Sequence, residues 1–237
     1  MNENEFVVFG GSKGIGLEIT RLLSQSNQRV TVISRSMYTD NELKAVSHLP
    51  IDITRDDIDA NSLPDRIQGL VYCPGSIRLR PFHRLKADDF LADFEINLLG
   101  AVKSIQACLP GLKRGDAPGS IVLFSTVAVE TGMPFHASIA SAKGAIEGLT
   151  RSLAAELAPR IRVNAIAPSL TDTNLAKALL SDDDKRSAAA ERHPLKRIGN
   201  PADIAAAAKF LLDDPASWIT GQIIAVDGGM GAIRTFK

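Results

Sequence analysis

Three glycines near the start of the chain, Gly10, Gly14 and Gly16, are spaced to suit a bound phosphate group. Before them, Phe6-Val-Val-Phe9 reads as a short buried strand, and after them Leu17, Ile19, Leu22 and Leu23 recur at helical spacing. In a strand–turn–helix of this kind the first glycine permits the tight turn and the second lets backbone approach a pyrophosphate. The third lets the helix pack closely on the strand, and the helix N-terminus attracts negative charge. A glycine triplet alone is a weak signal; its place between a strand and an amphipathic helix is what points to a dinucleotide. The end of the next strand adds a second clue, Ser34-Arg35-Ser36. A site for a free ribose 2′-hydroxyl carries an acid there, and this sequence has none. Lys13 lies inside the glycine loop, so two cations with neighbouring hydroxyls suit a 2′-phosphate, which a guanidinium binds through two parallel bonds. These residues favour NADP(H) over NAD(H).

The elements that must position such a site alternate along the chain. Strands are expected at Arg29–Ser34, His48–Ile51, Leu70–Cys73, Ser120–Phe124, Ile161–Ala167 and Ile223–Val226, after the first at Phe6–Phe9. Between them lie helical patterns at Asp40–Val46, Asp56–Leu63, Ala87–Leu109 and Ile139–Leu157, and a helix that starts with Asn200 as N-cap and Pro201 in its first turn. Alternation of this type predicts parallel strands joined by right-handed crossovers, an α/β doubly wound sheet with helices on both faces. No linker interrupts it, so residues 1–237 are expected to form one domain, with the polar, alanine-rich stretch 170–192 as a mobile helical flap.

Composition narrows the class. The 237 residues are 45% hydrophobic, enough for a substantial core. Lysine plus arginine equals aspartate plus glutamate at 27 each, which argues against a bulk nucleic-acid binder or a polybasic membrane protein. Cys73 and Cys108 have no metal-type spacing, so no metal site is expected and a reduced cytoplasm fits better than a disulfide framework. Glu3 and Glu5 stand where a signal peptide would be basic, and no apolar run approaches the ~20 residues of a membrane span. A soluble, cytoplasmic protein is the expectation.

Taken together, the motifs resemble those of the short-chain dehydrogenase/reductase family along nearly the whole chain. They are Gly10-x-x-x-Gly14-x-Gly16, Ile161-Arg-Val-Asn164-Ala-Ile-Ala-Pro168, Arg197-Ile-Gly199-Asn-Pro201-Ala-Asp203, Thr220-Gly221-Gln222 and Val226-Asp-Gly-Gly229. The resemblance implies a seven-stranded Rossmann-type sheet, NAD(P) as cofactor, a small-molecule substrate, and a homodimer or homotetramer with no nucleic acid or membrane partner. Its cofactor contacts would be the glycines with Ser12, Lys13 and Ile15, then Ser34 and Arg35, Asp52 and Ile53 at the adenine, and Gly75. Lys143, Pro168, Thr171 and Thr173 would complete the set. Some positions depart from the family pattern: Phe9 stands for the usual Thr, Tyr72-Cys73-Pro74 for Asn-Asn-Ala, and Ser169 for Gly.

The same resemblance implies a catalytic set of Asn97, Lys143 and a hydroxyl at Thr126 or its neighbour Ser125. The family tyrosine, four residues before the lysine, is replaced by Ile139, which cannot donate a proton. The two tyrosines present, Tyr38 and Tyr72, lie outside the motif. His136, seven residues before Lys143, stands where the related enoyl reductases place their active-site tyrosine. Imidazole can bind an enolate oxygen or transfer a proton near neutrality. The leading expectation is an NADP(H)-dependent oxidoreductase with altered acid chemistry, acting on a small carbonyl or a conjugated enone. A catalytically silent nucleotide-binding subunit and a lyase or isomerase using the same pocket remain as alternatives.

Overall fold

The computed structural model describes residues 5–38, 43–115 and 117–234. Seven strands form one parallel sheet: β1 (Glu5–Phe9), β2 (Arg29–Ile33), β3 (Val46–Leu49), β4 (Gly69–Tyr72), β5 (Gly119–Phe124), β6 (Ile161–Pro168) and β7 (Ile223–Val226). Their order is β3-β2-β1-β4-β5-β6-β7. The order reverses between β1 and β4, and a doubly wound sheet opens a crevice at the carboxyl ends of those strands.

The strands are nearly all-apolar runs because both faces of the sheet are covered. On one face Val7, Leu70, Ile121 and Leu123 pack with Ile105, Leu112 and Ile146. These last come from α3 (Gly100–Arg114) and α5 (Ala137–Leu157). On the other, Val8, Val71 and Val122 pack with Ile19 and Leu23 of α1 (Gly14–Gln25) and with Ile204 and Leu211 of a late helix, Pro201–Leu212. Alternate residues of each strand thus feed alternate cores.

Three sequence expectations are corrected. Part of Asp40–Val46 lies outside the described residues, and the rest is not helical. There the Ser24 hydroxyl binds both Lys44 O and Lys44 N, Ala45 has φ +55°, and β3 begins at Val46, two residues before the expected start. The stretch Asp56–Leu63 makes only a 3₁₀ turn at Ala60–Ser62, because Asp56 accepts from Asp52 N and Asp59 caps Asn61 N, closing local turns instead of a helix. The pattern Ala87–Leu109 is not one uniform helix: α2 (Ala87–Phe94) widens into a π-helical turn, Glu95–Leu99, before α3 continues to Arg114.

A short α4 (Ala128–Thr131) precedes α5. The flap region is helical as expected, a 3₁₀ helix at Asn174–Leu180 followed by α6 (Asp183–Glu191), capped by Thr173 and Asp182. The helix Pro201–Leu212, α7, has the expected Asn200 cap, reinforced by Asp203 as a capping box. Among the described residues no helix is long and apolar enough to cross a membrane.

Candidate active site

The glycine loop is built as its spacing demands. Gly10 (φ +73°) and Gly14 (φ +55°) take left-handed backbone, and a Cβ on Gly16 would lie 2.3 Å from Gly10 O. No side chain fits there, so the start of α1 is drawn tightly under the turn. Gly10 N donates to Ile33 O at 2.8 Å, tying the loop to the end of β2, where Ser34 and Arg35 begin. Lys13 and Arg35 are exposed and form no ion pair among the described residues. Ser34 turns the other way, bonding Ser36 O and His48 Nε2. Ser12 is buried in the loop, while Ile15 lines the cavity described below.

Beyond β3, the Asp52 carboxylate accepts from Thr54 N and Thr54 Oγ1, and these bonds hold it below the usual carboxylate range. Ile53 is packed in the core, so only its backbone could meet a nucleotide. On the opposite side, Thr173 from the loop after β6 reaches over the glycine turn, with its Cγ2 3.4 Å from where a Gly14 Cβ would sit.

At the other end of the crevice, Asn97 and Lys143 come together beside Gly75. A Cβ on Gly75 would stand 3.2 Å from Asn97 Oδ1 and 3.5 Å from Lys143 Nζ. The π-helical turn holds Asn97 fully buried, with Nδ2 donating to Asp93 O (2.8 Å) and Ser76 Oγ (3.1 Å). Its Oδ1 is buried without a hydrogen-bond partner. An acceptor left open in this way is costly unless something polar joins it. Lys143 is 9% exposed and donates to Phe124 O at 2.9 Å. That carbonyl lies beyond the last β4–β5 register pair, Val71–Val122. Burial pulls the Lys143 ammonium down from 10.5 to about 8, opposed by Cys73 and Asp93. Burial also lifts the Cys73 thiol to about 12.

The two candidate hydroxyls are not equivalent. Ser125 spends its proton on Glu147 Oε1 at 2.7 Å. Thr126 Oγ1 only accepts, from Ala128 N at 3.3 Å, so its proton is uncommitted. Neither tyrosine can stand in as an acid. Tyr72 is 2% exposed, donates to Ile96 O at 2.6 Å, and has its phenol pushed far up by burial. Tyr38 donates to Val46 O beside β3. His136 caps α5 and is half-buried, with Nδ1 2.7 Å from Pro134 O. Since a carbonyl only accepts, Nδ1 carries a proton, and Nε2 can donate only when the ring is charged.

These groups converge on a cavity of about 340 Å³. Ser125, Thr126, His136, Ile139 and Lys143 all line it, with Pro168, Thr171 and Thr173 from the loop after β6. Ile77, Leu79, Met133 and Leu175 make much of its wall apolar. Thr171 is 6% exposed and its hydroxyl turns back to Ser169 O.

The contacts of three groups of site or supporting residues escaped sequence reasoning, although Arg197, Asp203 and Ser169 were themselves named by it. Asp93, fully buried, accepts from Ser76 (2.6 Å) and Ser138 (2.5 Å) behind Asn97. Ser169 and His193 are hydrogen-bonded on the flap side of the cavity. Arg197 grips Asp203 through two bonds of 2.6 and 2.9 Å, fixing the entry to α7. Only the last had a signal, the arginine six residues before the acid of a capping box.

Comparison with known proteins identifies the family and the fold. The family model described as enoyl-(acyl carrier protein) reductase matches residues 10–231. Carbonyl reductase family member 4 of Danio rerio is 35% identical, over 94% of this chain and 96% of its own length. The chain belongs to the short-chain dehydrogenase/reductase family, whose characteristic chemistry is oxidoreduction. The ligand-free aldohexose dehydrogenase of Thermoplasma acidophilum superposes with a TM-score of 0.90 at 27% identity, covering 99% of this chain and 98% of that one. ElxO with NADP bound superposes with a TM-score of 0.86 at 26% identity, covering 97% and 99%.

Proposed function

We propose that this chain is an NADP(H)-dependent oxidoreductase that reduces a small carbonyl or conjugated enone without the family tyrosine. One observation carries the reading: Lys143, Asn97, the glycine loop and Thr173 surround one crevice, while Ile139 presents hydrocarbon one helical turn before Lys143. The glycine cradle, the open Asn97 Oδ1 and the exposed Lys13 and Arg35, without ion pairs among the described residues, fit a phosphorylated dinucleotide. The neighbour ElxO is described with NADP bound, which supports the same cofactor here. When bound, that cofactor supplies or accepts hydride.

The chain's residues divide the remaining work. Gly10, Ser12, Gly14, Ile15 and Gly16 would cradle the pyrophosphate, and Lys13 and Arg35 would meet the 2′-phosphate, while Ser34, expected there from the sequence, is turned away to Ser36 O and His48 Nε2. Asp52 and the Ile53 backbone border the adenine. Gly75 and Lys143 meet the nicotinamide ribose, and Pro168, Thr171 and Thr173 the carboxamide. Thr126 donates to the substrate oxygen, since Ser125 is committed to Glu147. His136 adds a hydrogen bond to that oxygen when its ring is charged. The apolar wall excludes water, which strengthens each such bond.

The test is calorimetric titration with NADPH and NADH, followed by NADPH oxidation against a panel of ketones and α,β-unsaturated ketones. Turnover with an activated carbonyl or enone is expected. Tight NADPH binding without any turnover would refute the reductase reading and favour a silent cofactor-binding subunit.

A further inference from the structure

The cavity has a second polar group of residues, away from the Lys143–Phe124 bond, where the loop after β6 meets the end of α6. There Ser169 Oγ lies 2.9 Å from His193 Nε2. His193 is 2% exposed, and its Nδ1 lies 2.8 Å from Ala189 O. The carbonyl accepts only, so Nδ1 carries a proton whether the ring is neutral or charged. Neutral His193 therefore offers a bare Nε2 and accepts the Ser169 hydroxyl. Charged His193 donates from Nε2 to Ser169 Oγ, and the serine hydrogen is set free to point elsewhere. Its other partner is Met230 Sδ at 3.1 Å, a weak acceptor that a substrate oxygen would outcompete. Both side chains line the same cavity as Thr126 and Lys143.

A serine bonded to an oriented imidazole is also the arrangement of a nucleophile and its base. Ser169 N, however, is spent on Val226 O at 3.4 Å, so that N–H is not available to an oxyanion. The neighbouring ionisable groups are mostly paired. Lys196 holds Glu191, Arg197 holds Asp203, and Asp227 accepts from Gly229 N and Gly231 N. Arg192, beside His193, and His136 and Lys143, which line the same cavity, complete the set.

We propose that Ser169 and His193 form a proton relay to the oxygen of the reduced substrate, the task Ile139 cannot perform. The proposal rests on the reductase reading above. A bound reduced nicotinamide would supply the hydride that forms the C–H bond, leaving the carbonyl π pair on oxygen. That oxygen takes the Ser169 hydroxyl proton, and Ser169 Oγ takes the Nε2 proton. Neutral His193 remains, its Nδ1–H still on Ala189 O, and water reprotonates it after product leaves. For an enone the enolate oxygen takes the same proton.

Two measurements test this. In the cofactor-free protein with ¹⁵N-labelled histidine, NMR should show His193 titrating, with the proton on Nδ1 in the neutral form. Ser169→Ala should move the titration point. In steady-state assays, kcat/KM for carbonyl reduction should fall as pH rises through that same point. Ser169→Ala and His193→Gln should each lower kcat by ~10²-fold or more with NADPH affinity unchanged. His193→Gln should erase the pH-dependent limb, and His136→Gln should keep it. The relay is overturned if His193 does not titrate or carries its neutral-state proton on Nε2. It is equally overturned if both variants turn over within about threefold of the parent, or if His136→Gln removes the limb instead. A parent that fails to bind or oxidise NADPH refutes the reductase reading itself, an outcome visible before any variant is made.

Discussion

Replacing Lys143 with methionine probes the cofactor end of the cavity through stability alone. Burial lowers the ammonium from 10.5 in the unfolded chain to about 8 in the fold. Holding it charged at neutral pH therefore costs about 3 kcal/mol relative to leaving it in water. Methionine fills similar space without that cost, but it orphans Phe124 O, which Lys143 Nζ now satisfies at 2.9 Å. Leaving that carbonyl open offsets about 1–3 kcal/mol of the gain. At pH ~7, Lys143→Met should thus be as stable as the parent or more stable by up to ~2 kcal/mol.

The pH dependence is sharper. Between pH ~8 and ~10.5 the unfolded lysine still holds a proton that the folded one has released, so the lysine's contribution to stability rises with pH. Cys73, Cys108 and Tyr72 all ionise late in the fold and pull total stability down at high pH in both proteins. The difference between parent and variant isolates Lys143. Urea unfolding in a series of buffers should show that difference moving by about 3 kcal/mol in the parent's favour from pH ~7 to ~10.5. A difference constant to within about 1 kcal/mol over that range would refute the assignment of Lys143 as a buried, strained cation.

Arg35→Ala should weaken NADPH binding by roughly tenfold or more and leave NADH nearly unchanged, because one charge-assisted pair to the 2′-phosphate is removed; equal affinities of the parent for both cofactors, by calorimetry, would contradict the reading. Ile139→Tyr should create or raise activity on simple ketones by ~10²-fold or more, since a phenol would enter the cavity one turn before Lys143; robust ketone reduction by the parent would mean the relay already suffices. The chain should assemble as a dimer or tetramer, with α3 and α5 forming one interface and edge strand β7 another. Trp218, 98% exposed just before β7, fits the second interface. A monomeric mass by light scattering at micromolar concentration would count against it.

What was legible in the sequence follows from how far each signal extends. The sheet could be read because its strands are buried on both faces and appear as apolar runs. The glycine loop could be read because the Gly10, Gly14 and Gly16 requirements are local. The π-helical turn leaves no mark in the apolar period of residues 87–109, which continues through it; only the family resemblance implies a local distortion of the helix at Asn97. Side-chain commitments across long separations were also out of reach. Ser125 and Glu147 are 22 residues apart, Ser169 and His193 are 24, and Ser138 and Asp93 are 45. Asp93 and Asp89 look alike on an amphipathic helix, yet Asp93 is wholly buried and Asp89 faces Arg78 at the surface. The extended path of residues 43–46 was missed for a related reason, since the Ser24 hydroxyl that holds it comes from α1.

The position of Ile139 explains why these long-range contacts bear on chemistry. The polar network from Asp93 through Ser76 and Asn97 borders Lys143, which itself bonds only Phe124 O. It can stabilise charge on the cofactor side, but Ile139 leaves a hydrocarbon gap on the same wall. Ile139 itself has no proton to give to a substrate oxygen from that direction. The other polar groups lining the cavity include Ser76, Thr126, His136, Thr171, Thr173 and Arg192, as well as Ser169 with His193. Thr126 can donate a hydrogen bond but is far too weak an acid to deliver its proton outright. His136 is half-exposed with its Nδ1 tied to Pro134 O, open to exchange with solvent at any moment. His193 is buried, fixed in one tautomer by Ala189 O, and bonded at the cavity wall to the Ser169 hydroxyl. In the proposed relay the Nε2 proton moves on only when a substrate oxygen draws the Ser169 hydrogen away from Met230 Sδ.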